Sequence, residues 1–394
     1  MVTQIKIEKR TASLDLARLS ALFCVISVHF FLHNGYYGEP CNGWRMYLLT
    51  LLRCSFMVCI PLFLLLTGYL LNGRTFCKKH YLGIDKTIGV YLLCSVLCVV
   101  MKKYYFNLPE TSWFNVLDFT GCTYGWYVEM YIGLYMLIPL LNLIWRGLET
   151  KRQRQALLLI FVLTAQLPTV VNYFDWKTPG ALADPAQAQQ YYQLIPRYWT
   201  VLYPFSYYFI GCYLREYPVK LKKSVNVAAY LLCVVLFGSF AFYHSGSGTF
   251  ISGAWQNWES LFLLPCGVLL FVFFLNLDTS GWRKTPRKLL AAASEVSFGA
   301  YLLSCLFDKL FYDRLDEMGL AFFDRLKYFP VVLLTLLLSL LASYSVTVIW
   351  SLLRDSGDKL VQRIGHREKE TVIKPNDSDL KSAPFSFPPV FPKA

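Results

Sequence analysis

The chain has 394 residues, 56% of them hydrophobic and 16% charged, with a mean hydropathy of +0.41. Soluble domains carry roughly a quarter charged residues, which excludes a water-soluble globular protein; composition also excludes intrinsic disorder, a secreted disulfide scaffold and a coiled coil. The formal charge of +13 suggests nucleic acid until its location is read. The cations sit in short clusters between apolar runs, as in a positive-inside membrane protein, and no nucleic-acid partner is expected.

A helix needs roughly 20 apolar residues to cross the hydrocarbon core. Ten such stretches follow in chain order: 14–33, 46–71, 87–104, 125–145, 155–173, 198–215, 224–243, 258–277, 289–312 and 329–353. They are continuous and Leu-rich, whereas a barrel would show short alternating segments. The expected fold class is therefore all-α, a polytopic transmembrane bundle of about ten helices. Residues 1–354 form the membrane domain and 355–394 a short cytoplasmic tail, rich in Pro and Ser from about Lys374 and largely disordered.

Loops after the even-numbered stretches carry Arg74, Lys78, Lys79 and Lys86, then Arg146, Lys151, Arg152 and Arg154, then Arg215, Lys220, Lys222 and Lys223, then Arg283, Lys284, Arg287 and Lys288. The opposite loops carry about half as many, so both termini are expected in the cytoplasm and the protein in the plasma (inner) membrane. The first apolar run lacks a small-residue cleavage site and contains Asp15, Arg18 and His29, which makes it a first span and not a signal peptide. Most of the twelve cysteines fall within apolar runs and read as small hydrophobes, without metal-ligand spacing. Cys41 and Cys122 fall in outward loops, where a disulfide is open.

Charged groups inside spans cost at least ~2.5–3.5 kcal/mol, which makes each a candidate for function. Arg18 and His29 are eleven residues apart, about three helical turns plus 20°, and so share one stripe about 16 Å long. Leu22 and Val25 fill the stripe between them, and Asp15 is placed to pair with Arg18. Each has a bland reading too: Arg18 snorkelling to the inner headgroups, His29 hydrogen-bonded in a helix–helix core. His33, one turn on, reads as interfacial. Glu129, about four residues into the inward-running fourth span, is expected at the depth of His29; it either fixes the imidazole tautomer or faces headgroups. Arg53 lies about seven residues into the second span, Asp308 and Lys309 read as a boundary pair, and Glu295 has no evident partner.

These residues lie in phrases that together resemble the acyltransferase 3 family of multi-pass membrane acyltransferases. SLDLARLSALFCVISVHF (Ser13 to Phe30) is similar to the family's first helix, with its Arg-x10-His pattern on Arg18 and His29. VCIPLFLLLTGYLL (Val58 to Leu71), GWYVEMYIGLYMLIPLLN (Gly125 to Asn142) and SEVSFGAYLL (Ser294 to Leu303) resemble later motifs in the same order. The resemblance implies transfer of an acyl group, often acetyl, from cytoplasmic acyl-CoA as co-substrate to a hydroxyl of a surface glycan or glycolipid, with no permanently bound cofactor and no metal. It implies Arg18 and His29 as the essential pair, and Glu129 is placed beside them as a third catalytic candidate. The family's basic element near the third span has no literal copy; Lys78, Lys79 and Lys86 stand in that region as candidate CoA contacts beside Arg18. Ser304-Cys305 stands where the late motif often continues to His. Arg53, Trp126 and Ser304 are the candidate acceptor contacts.

On this reading cations at the inner mouth hold the CoA phosphates while the pantetheine arm threads toward His29, which acts as a base or is itself acylated. Aromatic outward loops, with Trp113, Phe114, Trp176, Tyr191, Tyr192 and Tyr198, suit either sugar stacking or an interfacial belt. The competing class is a transporter or flippase of a small polar or lipid-linked substrate. Pro61, Pro168, Pro204 and Pro265 interrupt spans, but no half-to-half repeat accompanies them.

Overall fold

The computed structural model describes residues 11–246 and 248–371. The described chain is all-helical, apart from an isolated bridge between Pro40 and Thr249. The helices are α1 (Ala12–His33), α2 (Gly43–Phe56), α3 (Cys59–Leu71), α4 (Lys78–Leu82), α5 (Asp85–Val100), α6 (Trp126–Gly147), α7 (Lys151–Phe161), α8 (Pro168–Val171), α9 (Tyr203–Glu216), α10 (Lys223–Ser245), α11 (Leu263–Leu275), α12 (Lys284–Glu295), α13 (Ser297–Glu317), α14 (Phe322–Arg325) and α15 (Val331–Thr371). The described residues up to Thr347 form one body, and those from Val348, the continuation of α15, a second unit. The expected tail from Lys374 lies outside the described residues.

Among the described residues, seven segments are long and apolar enough to cross a membrane: Ala12–His33, Gly43–Leu71, Lys78–Tyr105, Trp126–Gly147, Lys151–Val171, Lys223–Ser245 and Val331–Ser356. An eighth exists if α12 and α13, bent by 69° at Val296, count as one span. The other two expected stretches are shorter. Residues 198–215 split into a 3-10 turn and the 14-residue α9, and 258–277 contains only the 13-residue α11. At 1.5 Å per residue these helices are about 20 Å long, less than the ~30 Å core.

Local chemistry accounts for the breaks. Pro61 lacks an N–H and crowds the carbonyl four residues back, and the α2–α3 break falls there, at Met57–Val58. Pro139 sits inside α6 and frees the carbonyl of Tyr135, which the buried His80 imidazole meets through Nε2 at 3.0 Å. α1 ends where Asn34 turns its amide and its side chain back onto the Phe30 carbonyl, followed by Gly35 at φ +91°.

α1 packs against α2, α3, α11, α12 and α13, so its polar stripe is enclosed by other helices. The tightest crossing lies alongside, between α3 and α9. A Cβ on Gly68 would fall 1.9 Å from the Tyr208 carbonyl oxygen, and one on Gly211 2.3 Å from that of Leu65. Small residues let two backbones touch, the usual means of helix association where no hydrophobic drive separates protein from lipid. Asn142 of α6 seals the junction, donating to the Leu71 carbonyl at 2.9 Å and accepting from the Tyr208 hydroxyl at 2.7 Å. Gly68→Val should therefore separate α3 from α9 and cost at least ~1–3 kcal/mol. Thermal unfolding in detergent should show a clear fall for Gly68→Val and little change for Gly133→Ala, where a Cβ meets nothing within 4 Å.

Candidate active site

His29 is buried on the α13-facing side of α1, and its Nδ1 lies 3.2 Å from Oδ2 of Asp308. That is an ion-pair distance, although the ring nitrogen is not aligned on the oxygen as a hydrogen bond requires. The Tyr124 ring stacks on the imidazole with centroids 3.5 Å apart, and its hydroxyl donates to the same Asp308 oxygen at 3.0 Å. On its other side the Tyr124 hydroxyl meets His33 Nε2 at 2.9 Å. Tyr312 packs over the His33 ring, and its buried hydroxyl is close enough to Asp308 to feel the carboxylate's charge. With Nδ1 turned to Asp308, Nε2 is the ring nitrogen of His29 that faces away from the carboxylate.

Arg18 is the second pole. Its guanidinium donates to the Ser294 hydroxyl at 2.9 Å and lies 3.9 Å from Asp15. Ser294 precedes the α12–α13 bend, so Arg18 is held against that corner. A cavity of about 450 Å³ opens beside it. Its polar rim is Arg18, Lys86, Ser294 and Glu295, with Lys86 and Glu295 paired at 3.3 Å. Apolar side chains such as Ile60, Phe63 and Leu66 line its walls, together with Tyr127, Tyr131 and Tyr301. The Tyr301 hydroxyl donates to the backbone carbonyl of Tyr124, and so the cavity wall and the His29 pocket share a layer of tyrosines. His29 itself does not line the cavity.

The other expected site residues fall apart from this centre. The structure does not bring Glu129 to His29: its side chain is exposed in the first turn of α6, and the carboxylate at the imidazole is Asp308. Asp308 and Lys309 are not a boundary pair, since Lys309 turns to Asp313 at 2.9 Å while Asp308 is buried. Lys78 and Lys79 are exposed on α4 and do not line the cavity, while Lys86 does. Arg53 is buried between Tyr37, to whose hydroxyl its Nε donates at 3.2 Å, and the Phe250 ring. Ser304 is consumed within α13, donating to the Tyr301 carbonyl at 2.8 Å. Trp126 stacks on Trp258 with centroids 4.3 Å apart. Cys41 and Cys122 are free; the Cys122 thiol meets Cys98 at 3.5 Å.

The aromatic loop after α8 is organised by Asp175, whose carboxylate accepts from the amides of Lys177, Thr178, Gln189 and Gln190. The Thr178 hydroxyl and these amides hold its carboxyl well below the usual range. Trp176 and Tyr198 stand exposed on this loop, while Tyr191 packs toward His244 and Trp255.

Sequence reasoning placed Asp308 at a boundary and passed over Tyr124. The usable signal for Asp308 was spacing: it lies seven residues after Tyr301, two turns along one helix face. Tyr124 immediately precedes the Gly125–Asn142 phrase, and only tertiary contact reveals it. The family model described as an acyltransferase domain matches residues 11–348. No curated protein and no solved structure matches. A match over nearly all of the helical body, with Arg18, His29 and the late Ser-Phe-Gly-x-Tyr-Leu element all inside it, means that this chain belongs to the acyltransferase 3 family.

Proposed function

We propose that the protein transfers an acyl group, acetyl in the simplest case, from cytoplasmic acyl-CoA to a hydroxyl of a carbohydrate on the far side of the membrane. The observation that carries this reading is the His29–Asp308 contact at 3.2 Å, set behind the tyrosine layer of a cavity whose mouth holds Arg18. On this reading both termini lie in the cytoplasm, and Arg18 and Lys86 face the acyl-CoA. The apolar walls suit a pantetheine arm, whose length is on the scale of the ~16 Å from Arg18 to His29 along α1.

The chemistry then falls to His29. Its Nε2 removes the proton of the acceptor hydroxyl as the oxygen attacks the thioester carbonyl, and the CoA thiolate leaves. Asp308 fixes the tautomer and stabilises the imidazolium as it forms. Tyr301 lines the cavity and donates to the Tyr124 carbonyl, and Tyr124 covers His29, so on this reading the thioester reaches the imidazole when that tyrosine layer yields. Arg18, oriented by Ser294 and Asp15, brings a guanidinium charge to the cavity, where it suits an anion such as a phosphate of CoA.

Transfer of label from acetyl-CoA to glycan in membranes carrying the protein tests the reading. His29→Ala should abolish transfer. Asp308→Asn should lower kcat by about 10²–10⁴-fold with little change in KM, and more than Glu129→Gln does. Full activity in His29→Ala membranes would refute the assignment. Arg18→Lys should raise KM for acetyl-CoA, because an ammonium cannot reproduce the two-pronged grip of a guanidinium.

A further inference from the structure

The groups around His29 do more than orient it. From the buried imidazole a line of titratable atoms leads to an exposed one: His29 Nδ1 lies at ion-pair distance, 3.2 Å, from Asp308 Oδ2, and hydrogen bonds continue from Asp308 Oδ2 to the Tyr124 hydroxyl at 3.0 Å and from that hydroxyl to His33 Nε2 at 2.9 Å. Its inner members are buried and His33 is exposed in the last turn of α1. Four residues separate the two histidines, so they sit on one face of α1, and α13 together with Tyr124 bridges them. An orienting carboxylate alone needs neither the phenol nor the second imidazole.

We propose that Asp308, Tyr124 and His33 form a relay that carries the proton taken up by His29 out to solvent. This rests on the acyltransferase reading, in which His29 gains one proton per turnover. The imidazolium passes its Nδ1 proton to Asp308. The Tyr124 hydroxyl, which donates to Asp308 at rest, turns its hydrogen to an unprotonated Nε2 of His33 and gives it up as the carboxylic acid protonates the phenol oxygen, and His33 releases one from Nδ1 to water or buffer. One proton has then left through His33, and both imidazoles stand as their Nε2–H tautomers; His33 regains its starting tautomer by exchange with water and His29 by turning its ring before the next turnover, while the thiolate left on CoA takes up a proton separately on its own side. Asp308, Asp313, Asp316, Tyr312 and His29 are the titratable groups that face His33 or pack against it. Tyr124 and His33 are positioning residues in this scheme, since neither touches the reacting atoms.

A shuttle at the surface can be replaced by a diffusible base, whereas a structural histidine cannot. With membranes of the full-length protein and acetyl-CoA, His33→Ala should lower kcat for CoA release about tenfold or more in dilute buffer, with KM for acetyl-CoA unchanged. Added imidazole should restore it in a saturable way. Tyr124→Phe should show the same loss without rescue, because the break then lies inside. A His33→Ala protein as fast as the parent, or one that imidazole fails to restore, overturns the relay. A second measurement needs no turnover: the pH midpoint for carbethoxylation of His29 by diethyl pyrocarbonate. It should move on His33→Gln when Tyr124 is present and stay put when Tyr124→Phe is combined with it. A midpoint indifferent to His33 overturns the relay. Absence of CoA release by the parent protein overturns the transferase reading instead, and carbethoxylation still decides the relay.

Discussion

An ionisable group sunk in an apolar bundle must find a partner or lose its charge, and His29 meets that constraint through Asp308. The contact joins the first helix to α13, which follows the 69° bend, and Tyr124 is drawn in as the ring that covers the imidazole and the hydroxyl that shares its carboxylate. Arg18 solves the same problem a few turns away with Ser294 at that bend. The two costly residues of α1 thus take their partners from the same bent pair of helices. The orientation of that pair relative to α1 is the geometry on which both the cavity and the histidine pocket depend.

The rest of the body holds α1 and its partners in place. α3 lies against α1 and is gripped from behind by α9, where Gly68 and Gly211 bring the backbones into contact and Asn142 closes the junction. Gly299 repeats the device on α13: a Cβ there would meet the Ser343 hydroxyl at 2.4 Å, and that hydroxyl donates to the Val296 carbonyl at the bend itself. Polar groups freed by broken helices are satisfied by neighbouring helices, as bilayer interiors require. The bend is therefore a supported feature and not a weak point.

Much of this was legible in the chain before any coordinates. Continuous apolar runs identify membrane helices because hydrocarbon leaves no alternative for backbone hydrogen bonds; six of the expected spans appear within a few residues of their predicted bounds, and the third begins earlier, at Lys78. Arg18 and His29 stood out because a charged or ionisable residue within such a run has a cost that no composition hides. Hydropathy overstated the stretches at 198–215 and 258–277, since it registers apolar content and not the turns that shorten α9 and α11.

Partners were less legible than costs. Depth along two helices suggested Glu129 for His29, but depth is one coordinate, and rotation and helix adjacency supply the other two; Glu129 turns outward and Asp308 inward. Lys78 and Lys79 were grouped with Lys86 by nearness in sequence, yet only Lys86, on the next helix, reaches the cavity. The sequence by itself determined the solvent this protein folds in and which residues could not be idle there. Which carboxylate faces which imidazole was decided only in three dimensions, because side-chain contact across a bundle depends on helix rotation, and rotation is set by packing between segments far apart in the chain.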